Sequence, residues 1–325
     1  MNILIIKHGA LGDVLRTSFF FEDLNKKGFS IYLLSMDGEL VIGKSPFVRR
    51  VFKDVHSIIK TNISIDFIFS LEDDLQYIGD AMKLKEHLNC ELRGLSLNQK
   101  NFVNYCDLSS AWNDMGIHSR YGLEHANLLK KSNKSQFSDL LRELFFNSDF
   151  KPNIFLTNAE IVQHHSYGMV KKVAFAPFGG ARWKGKSMAT EVVISVCEDL
   201  MKSGYDVKIY GSLQDVDEKI EKHHCPTASI DDLKTELSKC DVLIGADSLI
   251  AHIAAGLNLP SLIFFGPTSA QEFNGPEICK KVIANEEGYC GYDKDMKFPS
   301  INKKTILKHF TNLLSDIEGL EGHEK

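Results

Sequence analysis

The sequence has no run of about 18 apolar residues, the length that a bilayer-crossing helix needs. Its seven cysteines (Cys90, Cys106, Cys197, Cys225, Cys240, Cys279 and Cys290) form no CxxC pair and are odd in number. That argues against a disulfide framework or a thiolate zinc site, and for a reducing compartment. The thiols read as small buried apolar residues. Charge of one sign is not in excess: 38 Lys and Arg stand against 43 Asp and Glu, a net −5. Nucleic acid is therefore not an expected partner, although a local basic cleft is compatible with that balance. The GxGxxG fingerprint is missing from both halves, so a dinucleotide-dependent oxidoreductase has no motif support. Internal repeats and low-complexity segments are missing too. The opening "MNILIIKHG" turns polar before a signal core could form and reads as a strand, which places the expected location in the cytoplasm.

What is present is ordinary for a globular protein: 43% hydrophobic and 25% charged over 325 residues, long for one domain. The first half alternates apolar runs with amphipathic stretches. Residues 2–7 and 29–35 read as strands with a helix over 13–27 between them, and 64–71 and 91–97 as further strands. A helical segment over 123–146 is interrupted by the polar "KKSNKSQ". Turn formers around Pro152 set the expected boundary, giving domains of 1–152 and 153–325. In the second half, strands are expected over 172–178 and within "DVKIYGS", "CDVLIGADS" and "PSLIFFGPTS". Helices are expected over 191–202, 215–222, "LIAHIAAGLN" and 304–317. The pattern predicts two successive doubly wound α/β units, each with a mainly parallel sheet, and a cleft between them.

Ligands of such folds sit at the carboxyl ends of the strands. Four junctions there carry chemistry. "KHGALGD" places a carboxylate, Asp13, at a turn where a phosphate loop would offer only N–H groups. "GGARWKGK" gathers Arg182, Lys184 and Lys186 after a glycine turn, cations that suit a diphosphate. "GADSLIAH" puts Asp247 and Ser248 at a helix start, either as an ordinary cap or as a diphosphate site. His252 on that helix reads by itself as a core histidine. "FGPTSAQ" presents Thr268 and Ser269 beside the same strand ends. Residues 180–187, "GARWKGKS", also fit the P-loop pattern GxxxxGK[ST] between a strand and a helix, which would make Ser187 a magnesium ligand. "LEDDL" (71–75) offers three acids in a row and reads as a strand end in solvent, not as a metal site.

Three of these regions, "IIKHGALGDVLRTSFFFEDL", "FAPFGGARWKGKS" and "DVLIGADSLIAHIAAGLNLPSLIFFGPTS", resemble the signature regions of glycosyltransferase family 9, the heptosyltransferases that use ADP-heptose in bacterial surface-glycan and lipopolysaccharide synthesis. The resemblance implies a GT-B fold, two Rossmann-like domains with an interdomain cleft. The acceptor lies mainly on the first and the nucleotide sugar mainly on the second, with the C-terminal helix packing back towards the first. It implies an inverting reaction without metal or other cofactor. Asp13 matches the family's catalytic aspartate; His8, five residues earlier in the same turn, reads first as a structural histidine and second as a backup base. Lys186 matches the donor-phosphate lysine, with Lys184 as the competing candidate and Gly180 in the same loop. Asp247, Ser248 and His252 match the donor-surrounding D-T-G-L-A-H pattern; Thr268 joins that site, and Asp215 falls where the family has an acid near the ribose. Leu249 stands where the family has glycine, Ser248 where it has threonine, and Met188-Ala189 where it has Trp-Pro. The implied partners are a nucleotide-sugar donor and a glycan or lipid-linked glycan acceptor. A lipid-linked acceptor implies peripheral contact with the cytoplasmic face of the inner membrane, for which Lys44, Arg49, Arg50 and Lys53 are candidate cations, although they read more simply as a solvated face. A P-loop triphosphatase, a non-catalytic sugar-nucleotide binder, an NAD(P)-dependent oxidoreductase and a transferase for another nucleotide sugar are the rival readings.

Overall fold

The computed structural model describes residues 1–105, 111–145, 169–179, 184–211, 218–284, 288–291 and 301–321. The chain divides into two units, Met1–Thr157 and Asn158–Lys325. The expected strand ends 2–7, 29–35 and 64–71 are recovered as β1 (Asn2–Ile6), β2 (Ser30–Leu34) and β4 (Phe67–Ser70), with β3 (Val48–Phe52) added between the last two. Two further strands, β5 (Glu91–Arg93) and β6 (Leu95–Leu97), replace the single one expected over 91–97, and β7 (Val103–Tyr105) follows. Gly94 causes that split. Its φ of +109° bends the chain, and a Cβ there would run into the Ser70 carbonyl oxygen. β5 therefore continues the main sheet while β6 turns away to pair with β7 in an antiparallel ladder.

The helices of the first unit are α1 (Leu11–Arg16), α2 (Phe21–Lys26), α3 (Glu39–Ile42), α4 (Val55–Ile59), α5 (Leu75–Leu88), α6 (Ala111–Asp114), α7 (Leu123–Ser132) and α8 (Phe137–Phe145). The single helix expected over 13–27 is broken by a 3-10 stretch, Thr17–Phe20. There Thr17 and Ser18 turn their hydroxyls onto the carbonyls of Val14 and Leu15, at 2.6 and 2.7 Å, competing with the helical ladder. Among the described residues the main sheet is wholly parallel, in the order β3-β2-β1-β4-β5. β1 is buried from Ile3 to Ile6, on both faces, as an all-parallel sheet requires. Leu4, Ile6, Leu34 and Ile68 pack one face against Ile58 of α4 and Ala81 and Leu84 of α5.

The second unit contains β8 (Lys172–Ala176), β9 (Asp206–Ile209), β10 (Val242–Ala246), β11 (Ser261–Phe265) and β12 (Cys279–Ile283). Its helices are α9 (Thr190–Lys202), α10 (Glu218–Glu221), α11 (Ile230–Leu237), α12 (Leu249–Gly256) and α13 (Lys303–Glu321). The sheet is again parallel among the described residues, in the order β12-β11-β10-β8-β9. α13 lays Ile306, Phe310, Leu313 and Ile317, spaced by helical turns, onto a core shared with Val196 and Leu200 of α9. No helix among the described residues is long and apolar enough to cross a membrane.

Strand order places the sites. In the first sheet the winding reverses between β1 and β4; in the second it reverses between β8 and β10. At such a reversal the loops leave in opposite directions and open a crevice at the carboxyl ends of the strands. The segments that follow β1, β4, β8 and β10 are the four to inspect.

Candidate active site

In the first unit, β1 runs out at Ile6 and delivers Lys7, His8 and Gly9 to the reversal point. Asp13 lies in the first turn of α1, a position that favours its charged form. Its Oδ1 accepts from the Arg16 guanidinium at 3.0 Å, and the carboxylate keeps about a third of its surface exposed (36%). Arg16 is itself held: its guanidinium carbon lies 3.9 Å from the centre of the Phe137 ring and 5.6 Å from that of Trp112. The carboxylate is thus fixed by a cation that is fixed by aromatics.

His8 is buried and stacks on Tyr77, ring centres 4.2 Å apart. Its Nδ1 accepts the Met36 N–H at 3.3 Å, which assigns the ring proton to Nε2, an atom that is buried and makes no hydrogen bond. Burial lowers its pKa, Lys7 adds to that, and Asp80 only partly opposes it. The neutral ring therefore has its basic nitrogen engaged.

Sequence reasoning passed over two residues here. Lys7 is 7% exposed, and its Nζ lies 3.2 Å from Oε1 of Glu72, which is 6% exposed. Glu72 also accepts the His8 N–H. This corrects the expectation that "LEDDL" ends in solvent. Only a buried cation makes it favourable to bury that first acid. Asp73 accepts the Ile117 N–H, and Asp74 caps α5 by accepting the Gln76 N–H at 2.9 Å. Among the described residues no group of three or more His, Cys, Asp and Glu side chains is arranged to hold a metal ion. The signal that was available is a lysine at the end of an all-apolar strand, where it has to find a counter-charge.

In the second unit the loop after β8 and the loop after β10 converge. Lys186 Nζ donates to Asp247 Oδ2 at 2.7 Å, and Thr268 Oγ1 donates to the same oxygen at 2.6 Å. His252 Nε2 stands 3.8 Å from the other oxygen. Lys186 and Asp247 are 15% and 12% exposed. Burial works against the Asp247 charge, but Lys186, His252 and the two hydrogen bonds outweigh it and hold the carboxyl well below the ordinary range. Ser248 is the N-cap residue of α12, yet its side chain makes no capping bond and its buried Oγ has no hydrogen-bond partner. The first-turn N–H groups of α12 are thus not spent on the cap. Leu249 opens the helix, half-buried.

The structure thus brings Lys186, Asp247, Ser248, His252 and Thr268 to one end of one sheet. Gly180 and Asp215 lie outside the described residues, and Lys184 is placed by its backbone in a 3-10 turn, Lys184–Lys186. That turn does not support the P-loop reading. A P-loop starts its helix at the Gly-Lys-Ser, whereas α9 begins only at Thr190, and the Ser187 hydroxyl accepts the Gly179 N–H at 3.0 Å.

The sequence model of glycosyltransferase family 9 (heptosyltransferase) matches residues 131–305. No curated protein matches the chain in sequence. Among solved structures, a glycosyltransferase of family 9 from Veillonella parvula superposes with a TM-score of 0.66 at 16% identity, covering 97% of both chains. The ADP-heptose lipopolysaccharide heptosyltransferase II of E. coli gives 0.62 at 15% identity, over 98% of this chain and 100% of its own. The E. coli heptosyltransferase WaaC with ADP gives 0.63 at 14% identity, over 96% and 100%. At these identities the likeness shows the fold, and that fold is the GT-B fold expected from the sequence.

Proposed function

The chain belongs to glycosyltransferase family 9 and is a glycosyltransferase, and from that premise we propose that it transfers heptose from ADP-heptose to a hydroxyl of a lipopolysaccharide-type or other surface-glycan acceptor, inverting the anomeric centre without a metal. The observation that carries the proposal is the cluster Lys186–Asp247–Thr268 beside the uncapped start of α12. A departing nucleoside diphosphate accumulates negative charge on its phosphate oxygens. An ammonium already anchored by Asp247, the free first-turn N–H groups and the Ser248 hydroxyl supply fixed donors for that charge, usually a large share of catalysis. Asp247 aims Lys186, and Thr268 aims Asp247. Lys186 is accordingly the principal phosphate residue in this reading.

Asp13 is the base. The transition state of glycosyl transfer is oxocarbenium-like, so the acceptor hydroxyl turns acidic only late, and a weak base suffices to take its proton. His8 has the wrong tautomer for that task, since its one basic nitrogen already accepts the Met36 N–H. It serves better as part of the wall. Gly180, Lys184 and Asp215 keep their proposed places around the donor, and a lipid-linked acceptor would bring the protein to the cytoplasmic face of the inner membrane.

A thermal-shift panel of ADP-heptose, ADP-glucose, GDP-mannose and UDP-glucose tests the donor. Stabilisation by ADP-heptose, with the GDP and UDP sugars inert, is the expected outcome. A response confined to GDP or UDP sugars would overturn it. Leu249→Gly, which restores the family's glycine, is expected to strengthen the ADP-heptose response several-fold in apparent Kd.

A further inference from the structure

Lys7 is not among the residues that the family motif singles out, yet it stands beside the proposed base, across Gly9 from it. Gly9 shows how close. With φ +31°, a Cβ built on it would lie 3.3 Å from Lys7 Nζ and 3.3 Å from the Asp13 Cβ, so the ammonium and the acid flank one glycine. Lys7 cannot leave: its ion pair with Glu72 is buried at both ends, and Glu72 is pinned in turn by the His8 N–H. Two carboxylates therefore share the neighbourhood of one lysine. Burial alone would lower the Lys7 pKa, but Glu72 and Asp13 outweigh it, with Asp73 adding and Arg16 opposing. Burial raises the Glu72 carboxyl, and the Asp13 charge raises it further, while Lys7 and the His8 N–H pull it back.

We propose that Lys7 is a positioning residue for Asp13: seated on Glu72, its ammonium stands across Gly9 from the acid and, with the Arg16 that Phe137 and Trp112 hold in place, keeps Asp13 ionised. Without that cation the buried Glu72 would be the first to take up a proton, and Asp13, a third exposed, would be left with Arg16 as its one close cation. A protonated Asp13 accepts no proton from a substrate. The device rests on the reading of Asp13 as the base, but it can be tested without turnover.

The test is a carboxyl titration by NMR on full-length protein labelled with [13C]aspartate, the Asp13 signal being assigned by its loss in Asp13→Asn. Lys7→Met is expected to raise the Asp13 midpoint by about one pH unit, and Glu72→Gln to lower it. Opposite signs from two neighbours are not what a general loss of packing produces. Should Lys7→Met fail to fold, Lys7→Met/Glu72→Gln, which buries no charge, is compared with Glu72→Gln alone. The midpoint is expected to be higher in the double variant. An Asp13 midpoint unmoved by removal of Lys7 in either background overturns the proposal. Sugar transfer retained in Asp13→Asn would instead overturn the base assignment and leave the titration result standing.

Discussion

Asp247 accepts Lys186 and Thr268 on a single carboxylate oxygen, so its ionised form is favoured in the folded chain over the unfolded one. The sign of the consequence follows. A carboxyl whose folded pKa lies below its ordinary 3.8 contributes stability above that pH and loses it as pH falls through the folded value. For one such group the contribution is on the order of 2–3 kcal/mol. Asp247→Asn is therefore expected to be less stable at pH 7 but to lose less stability on acidification below pH 4, its urea midpoint converging on that of the parent. Parallel acid profiles for the two proteins would count against the pairing. The same pairing bears on binding. Lys186 is held by Asp247 at 2.7 Å, so on the proposed reading its orientation costs little entropy when a phosphate arrives.

α13 anchors the second sheet through Ile306, Phe310, Leu313 and Ile317, each buried to within a few per cent. Phe310 also meets Tyr205 edge-on, ring centres 5.4 Å apart. Truncating a buried phenylalanine forfeits its transfer free energy and leaves a cavity, so Phe310→Ala is expected to cost about 3–5 kcal/mol, read as a lowered denaturant midpoint with no change in m-value. Elements of this kind were legible in the sequence, because an amphipathic stripe or a buried parallel strand has a periodicity that one face of the fold dictates. Two of the edge strands, β3 and β12, were not. "VRRVF" and "CKKVI" place cations along the sheet border, the usual protection against edge-to-edge pairing, and so lose the apolar signature. The long helix expected over 13–27 failed for a local reason, the hydroxyls of Thr17 and Ser18, which no hydrophobic count registers. At the candidate site, Asp13, Lys186 and Asp247 could be singled out because each lies within a short motif. Lys7 and Glu72 were not: they follow different strands, and only the pairing of β1 with β4 brings the ends of those strands, and so these two residues, together.

Across the whole chain the proposed chemistry divides between two units, each with its own sheet and core. Variants should divide in the same way. Asp13→Asn is expected to abolish transfer while leaving the ADP-heptose thermal shift intact, and Lys186→Met to remove most of that shift, weakening binding at least tenfold. Loss of donor binding in Asp13→Asn, or an unchanged shift in Lys186→Met, would break the division. The two windings give this partition a further meaning. One sheet is wound 3-2-1-4-5 and the other, counted from its own first strand, 2-1-3-4-5. The halves are therefore not interchangeable copies, and neither can stand in for its fellow by duplication. On the proposed reading each is a cassette with one substrate to its name. A change of acceptor would then be acquired through the first half, by drift or by grafting, without renegotiating the terms on which the leaving group departs.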